Sequence, residues 1–399
     1  MNRRPAKKRA VNQRALNKDT LLVHSGRGRG GLVNPPIERA STIVHPTLAS
    51  YEASWTADRF EGLTYGLHGT RTAFALEEAL GALEGCHRPI LVPSGLAAIT
   101  TALLACVKSG DHLLVADCAY GPTRKFCDVY LKRFGVETTY YDPLIGAGIA
   151  ALMRPNTRAV FCEAPGSLTF EMQDIPAIAQ VAHRHGAAVL MDNTWATPYF
   201  FDALAHGVDL SIQAGTKYIS GHSDVLLGSI AATGRWWRPV RDTVADYGYS
   251  TSPDDCYLAL RGLRTLGVRL KAHQAGGMAV AEWLQGRPEV KRVLHPALPD
   301  DPGHAIWKRD FTGACGLFSM ELRSVPKKAV AAFVDSLKLF GIGASWGGYE
   351  SLIVPAKFTR TATARKFTGP LLRLHVGLED PADLIADLER GFAAMAVAD

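Results

Sequence analysis

The fold class predicted for this chain is α/β: a mostly parallel sheet flanked by helices, followed by a smaller α+β C-terminal domain. Three observations predict it. From residue 66 to about 260, short runs rich in Val, Leu and Ile alternate with helical patterns, the rhythm of strand–helix–strand units. Beyond 260 this rhythm gives way to one long helical stretch, a proline-rich segment and mixed patterns. The 399 residues, 47% hydrophobic and 21% charged, supply core for about two to three domains.

Taken in order, residues 1–19 read as a basic flexible tail. Residues 1–18 hold seven cations (Arg3, Arg4, Lys7, Lys8, Arg9, Arg14 and Lys18) and no acid. Without them the 44 basic residues fall to 37 against 38 acidic, so the body is close to neutral. Basic residues gathered in one tail argue against nucleic-acid binding, which calls for cations patterned on folded elements. Residues 20–65 are irregular and glycine-rich, and read as an arm lying on a neighbouring subunit.

The large domain is expected over 66–260. "FALEEALGALEG" (74–85) has Phe74, Leu76, Leu80 and Leu83 near helical spacing, with Gly85 to stop the helix. "PILVP" reads as a strand and "SGLAAITTALLACV" (94–107) as a helix opened by a Ser-Gly turn. The strands "DHLLVAD", "VETTYYD", "TRAVFCEAP", "AAVLMDN", "VDLSIQAG" and "VLLGSIAAT" follow, with helices at 121–135 and 174–186. One helix is then expected over 260–284, opening a C-terminal α+β domain assigned to 261–399.

No window approaches 18 uncharged apolar residues, so no membrane helix is predicted, and the N-terminus lacks the apolar stretch of a secretory signal. Seven cysteines without a C-x-x-C pair fit reduced thiols in a cytoplasmic protein. Metal is not expected. There is no H-E-x-x-H, and His183 and His185, two apart, would face different sides of a helix.

In a parallel sheet, ligands gather at the carboxyl ends of the strands. Three features fall there. Ser94-Gly95-Leu96 opens a helix, where free N–H groups favour an anion such as phosphate. Asp192 ends a buried strand and needs a cationic or polar partner. Lys217 follows the next strand, 25 residues on, where burial would let it lose its proton and attack a carbonyl. Singly, each has a plain structural reading: a turn, an N-cap, a solvated lysine. Together they supply what pyridoxal phosphate needs: a phosphate seat, a partner for the ring nitrogen and a Schiff-base amine. Tyr120, after another strand, could stack on the ring.

"MDNTWATPYFFDALAHGVDLSIQAGTKYISGHSD" resembles the Cys/Met-metabolism family of fold-type I pyridoxal-phosphate enzymes. So do "YDPLIGAGI", "RGLRTLGVRL", "SWGGYESLI" and "LLRLHVGLEDPADLIADLERGF". The resemblance runs from about residue 20 to the C-terminus. It implies that Lys217 holds the cofactor and shuttles protons, Asp192 pairs with the ring nitrogen, and Tyr120 stacks on the ring. It implies that Gly95, Leu96 and Thr216 bind the phosphate, and that Arg373 grips the substrate α-carboxylate. Ser345 and Trp346 would line the same pocket, and Tyr65 would reach in from a neighbouring subunit of a homotetramer.

The implied reaction is α,β-elimination of L-cystathionine to homocysteine, pyruvate and ammonia, a step in methionine biosynthesis. γ-Elimination, or a broader cysteine-S-conjugate lyase activity, is the alternative. Where the family carries Tyr-x-Arg, this chain has Tyr65-Gly66-Leu67, and His68 or Arg71 is expected to stand in for the missing phosphate-binding arginine.

Overall fold

The computed structural model describes residues 16–28, 31–56, 60, 62–364 and 367–398. Most of the basic tail, residues 1–15, lies outside them. Lys18 and Asp19, assigned to the tail by composition, instead open the helix Lys18–His24. Lys18 is drawn in because its Nζ donates to the carbonyls of Pro198 (2.7 Å) and Tyr199 (2.8 Å), and Asp19 pairs with Lys271.

The large sheet has seven strands: β1 (Ile90–Val92), β2 (His112–Ala116), β3 (Glu137–Tyr141), β4 (Thr157–Glu163), β5 (Ala188–Asp192), β6 (Leu210–Ala214) and β7 (Gly228–Ala232). Their spatial order is β1-β7-β6-β5-β4-β2-β3. All pairs are parallel except the two made by β7. β1 and β6 both run against β7, so β1, β2, β4, β5 and β6 all end at one edge. The chain passes from β2 outward to β3 and then back past β2 to β4. The order therefore reverses between β2 and β4, a switch point at which α/β sheets open a ligand crevice. Apolar side chains from alternate strand positions build separate cores on the two faces, one holding Leu114, Val160 and Met191, the other Val115, Phe161 and Leu190.

The second sheet is antiparallel, in the order β10 (Leu352–Pro355), β11 (Leu371–His375), β9 (Leu317–Leu322) and β8 (Val290–Leu294). Phe333 on the helix Lys327–Ser336 packs on Phe392 of the helix Pro381–Ala398, ring centroids 4.7 Å apart, in this domain's own core.

Two expected helices differ. The stretch 260–284 is two helices, Pro253–Arg264 and Leu266–Gln285, broken at Thr265. Arg269 reaches back across the break and donates to the carbonyls of Gly262 (2.8 Å) and Tyr218 (2.7 Å). The helix expected over 121–135 begins as Gly121–Lys125 and loosens into a π-turn over Phe126–Leu131. Among the described residues, no helix is long and apolar enough to cross a membrane.

Candidate active site

The shared edge of β1, β2, β4, β5 and β6 collects the reactive side chains. Gly95 and Leu96 open the helix Gly95–Cys106 just after β1. Ser94 caps it by accepting from the Ala97 N–H at 3.1 Å. The N–H groups of Gly95 and Leu96 have no acceptor among the described residues and form a seat for an anion. Only glycine fits at 95, because an added Cβ would come within 2.5 Å of the Ala214 Cβ.

Asp192 closes β5. Its carboxylate accepts from the Thr194 N–H (3.0 Å) and hydroxyl (2.5 Å), and burial raises its pKa above the ordinary range. A half-buried carboxylate with only these neutral donors is suited to a cationic N–H partner. Thr194 Oγ1 also accepts from the Ala214 N–H (2.9 Å), tying this carboxylate to the strand that carries Lys217.

Lys217 follows β6. Burial, helped by the nearby Arg373 cation and opposed by Asp192, pushes its amine down to about 8. Its Nζ donates to the Ser345 hydroxyl and lies 5.2 Å from the Trp346 ring centroid. Ser345 turns its carbonyl the other way, to accept from Arg373 Nη2 at 2.8 Å. Arg373 Nε is buried without a partner, so the guanidinium has donor capacity left for a ligand.

Tyr120 stands over the switch point. Its N–H donates to Glu163 Oε2 (2.8 Å), and its half-exposed phenol is raised by burial and by the fields of Glu163 and Asp192. A cleft of about 430 Å³ opens beside it, lined by Ala119, Gly121, Ser167, Phe358 and Arg360.

The structure thus brings Lys217, Asp192, Tyr120, Arg373, Ser345 and Trp346 together, with Gly95 against Ala214 at the same edge. Two expectations look different. The Thr216 hydroxyl is engaged with Leu227, donating to its carbonyl (3.2 Å) and accepting its N–H (3.0 Å), so phosphate would draw on a group already satisfied. Tyr65 makes no contact with Lys217 or Arg373 within the chain; it is 43% exposed, with its ring near His68. Of the two stand-ins for the missing arginine, His68 is buried edge-on to Phe60, whereas Arg71 pairs with Glu38 at 2.8 Å and stays largely exposed.

Glu163 was not singled out from the sequence. It is half-buried, in register with Asp192 across β4 and β5, and the loss of water around it beside that second carboxyl holds its own well above the usual range. The signal was its place at the end of a strand, "FCEAP". Among the described residues, no cluster of three or more His, Cys, Asp or Glu is arranged to hold a metal.

A family model described as Cys/Met metabolism PLP-dependent enzyme matches residues 19–393. The cystathionine β-lyase of Salmonella typhimurium is 46% identical over 387 residues, covering 94% of this chain and 98% of that protein. That of Escherichia coli is 45% identical with the same coverage. The crystal structure of metB from Corynebacterium glutamicum superposes with a TM-score of 0.87 at 31% identity, covering 96% of this chain and 99% of that one.

Proposed function

From the premise that the chain belongs to the Cys/Met-metabolism family of PLP-dependent enzymes, we propose that it is a cystathionine β-lyase. The proposed reaction splits L-cystathionine, with one water, into homocysteine, pyruvate and ammonia. The observation that carries the proposal is the Lys217–Ser345–Arg373 chain, which sets a depressed amine beside a carboxylate-binding guanidinium.

The residues present fit pyridoxal phosphate. The unclaimed N–H groups of Gly95 and Leu96 would hold the phosphate, Asp192 the ring nitrogen, Tyr120 the ring face and Lys217 the aldehyde carbon. When bound, the cofactor supplies a carbonyl for amines and a ring that spreads the charge of a carbanion. Lys217 Nζ would remove the Cα proton, and burial, which lowers its pKa in the bare chain, favours the neutral amine that this requires. Arg373 holds the α-carboxylate as a fork, fixing which face of Cα meets Nζ. The electron pair breaks the Cβ–S bond, and the thiolate of homocysteine takes a proton from Lys217 or from Tyr65 of a neighbouring copy. The three-carbon fragment is released and hydrolyses with one water to pyruvate and ammonia.

We further propose a cytoplasmic homotetramer with sites shared between copies, Tyr65 being the borrowed group. Apolar side chains standing exposed along the arm, including Val44 at 87% and Leu48 at 70%, support such an association.

Incubation with L-cystathionine tests the reading. Pyruvate and homocysteine are expected, whereas 2-oxobutanoate and cysteine would mean γ-elimination and overturn it. The purified protein should be yellow, bleach with borohydride, and lose that colour in Lys217→Ala. A wild type left colourless after addition of cofactor would defeat the assignment of Lys217 and Asp192.

A further inference from the structure

The loop 345–348 touches every part of the grip just described, and it does so on an unusual backbone path. Ser345 has φ +75° and Gly347 φ +87°, both left-handed. A Cβ on Gly347 would sit 3.0 Å from Lys217 Cα and Cβ, so the loop backbone lies directly on the lysine. Such a path persists only where surrounding groups hold it.

One buried side chain does so. The Gly347 N–H donates to Nε2 of His375 at 3.1 Å. His375 is fully buried at the end of β11, two residues beyond Arg373. To accept that bond, Nε2 must be unprotonated, which leaves the ring proton on Nδ1. The Gly348 carbonyl lies 3.2 Å from the same nitrogen, but moving the proton there would leave the Gly347 N–H without an acceptor.

Behind it stands His273, whose Nδ1 donates to the Val376 carbonyl at 2.9 Å, so its Nε2 carries a lone pair. His375 Nδ1 and His273 Nε2 are both buried without partners, on rings whose centroids are 5.2 Å apart. One holds a proton and the other a lone pair, so both tautomers follow from the same set of bonds. Burial, together with the fields of His273, Arg373 and Lys217, keeps the His375 imidazole neutral, pushed down to about 3.

We propose that His375, backed by His273, is a positioning residue for the carboxylate grip: its bare Nε2 fixes Gly347, and through it the Ser345 groups that orient Arg373 and Lys217. This rests on the roles given above to Arg373 and Lys217, and the test separates the two claims.

The holoenzyme is compared with His375→Leu and His375→Gln. The leucine variant should keep its yellow colour and borohydride bleaching, while KM for cystathionine rises about tenfold, the value of one lost hydrogen bond, with kcat less affected. Glutamine, whose Oε1 can accept from Gly347, should recover most of that KM.

A second readout is the colour change on titrating a non-reacting amino acid, set against the matching amine without its carboxylate. Only the amino acid should need about tenfold more in His375→Leu. Unchanged KM in a coloured leucine variant, or equal loss for amine and amino acid, overturns the positioning role. A colourless wild type overturns the cofactor assignment instead. If the leucine variant does not fold, ¹⁵N shifts of the histidine rings in wild-type holoenzyme decide, with the His375 signal identified by its absence from His375→Gln. A bare Nε2 on His375 is expected, and a protonated Nε2 sinks the proposal.

Discussion

The depressed pKa of Lys217 can be measured without turnover. With an amine near 8, about one Lys217 in ten is neutral at pH 7, whereas an ordinary lysine near 10.4 is neutral in about one molecule in 2,500. The environment therefore raises the reactive fraction roughly 250-fold. In protein stripped of cofactor, trace labelling with an acid anhydride reports that fraction, because only the neutral amine reacts. The ratio of labelling at Lys217 to that at exposed Lys132, read by peptide mass spectrometry, removes losses of reagent.

The sign follows from the direction of the shift. Labelling of Lys217 should climb as pH rises towards 8 and level off above about 9, since the charged form disappears as pH passes the folded-state pKa. The causes predict the variants. Arg373→Leu removes a cation that disfavours the charged amine, so the inflection moves up. Asp192→Asn removes the carboxylate that favours it, so the inflection moves down. A wild-type profile still climbing at about pH 10, as an ordinary lysine would, refutes the burial argument for Lys217. Inflections that move the same way in both variants refute the assignment of its neighbours.

Three further outcomes are expected. Arg373→Lys keeps the charge but loses the fork, so KM for cystathionine should rise about ten- to a hundredfold with a smaller change in kcat, measured by pyruvate release. Gly95→Ala forces a Cβ to within 2.5 Å of the Ala214 Cβ, and should lower unfolding free energy by about 1–3 kcal/mol and weaken cofactor binding, followed by denaturant melts and colour titration. Leu67→Arg adds the missing phosphate partner and should tighten cofactor binding about tenfold or more in the assembled protein; no gain would mean that the site is already complete without it.

The large sheet was legible because a buried parallel sheet writes itself as short apolar runs with chemistry at their ends. Asp192, Ser94-Gly95 and Lys217 each close or follow such a run, and β5 and β6 are neighbours, so a spacing of 25 residues became a site. The break at Thr265 was not legible. Neither glycine nor proline occupies 265 itself, and with Gly262 and Gly267 on either side the stretch still reads as continuous helix. What ends the first helix is tertiary: Arg269, seven residues beyond Gly262, donates to the Gly262 carbonyl and, outside the helix, to that of Tyr218. Gly262 lets this happen, since a Cβ there would meet the Ser220 carbonyl at 2.2 Å.

Ser345 and Trp346 were reached only through the family resemblance, and the backbone role of their loop was not legible in the residues for a related reason. Lys217 and Arg373 carry their chemistry in their side chains and can be suspected singly, but the 345–348 loop acts through its backbone. Its proposed role depends on where Ser345 presents a carbonyl, which no residue type announces. Ser345 holds a left-handed φ that glycine would adopt more easily, so local preference does not favour the observed path. The loop is held from outside: by His375 on β11, by the Lys217 backbone against Gly347, and by Ser223, whose hydroxyl meets Glu350 at 2.5 Å. These contacts join the two domains across the site. The geometry around Lys217 is therefore set jointly by a strand of the large sheet and a strand of the small one, and a reading that treats the two domains separately finds the amine but not its grip.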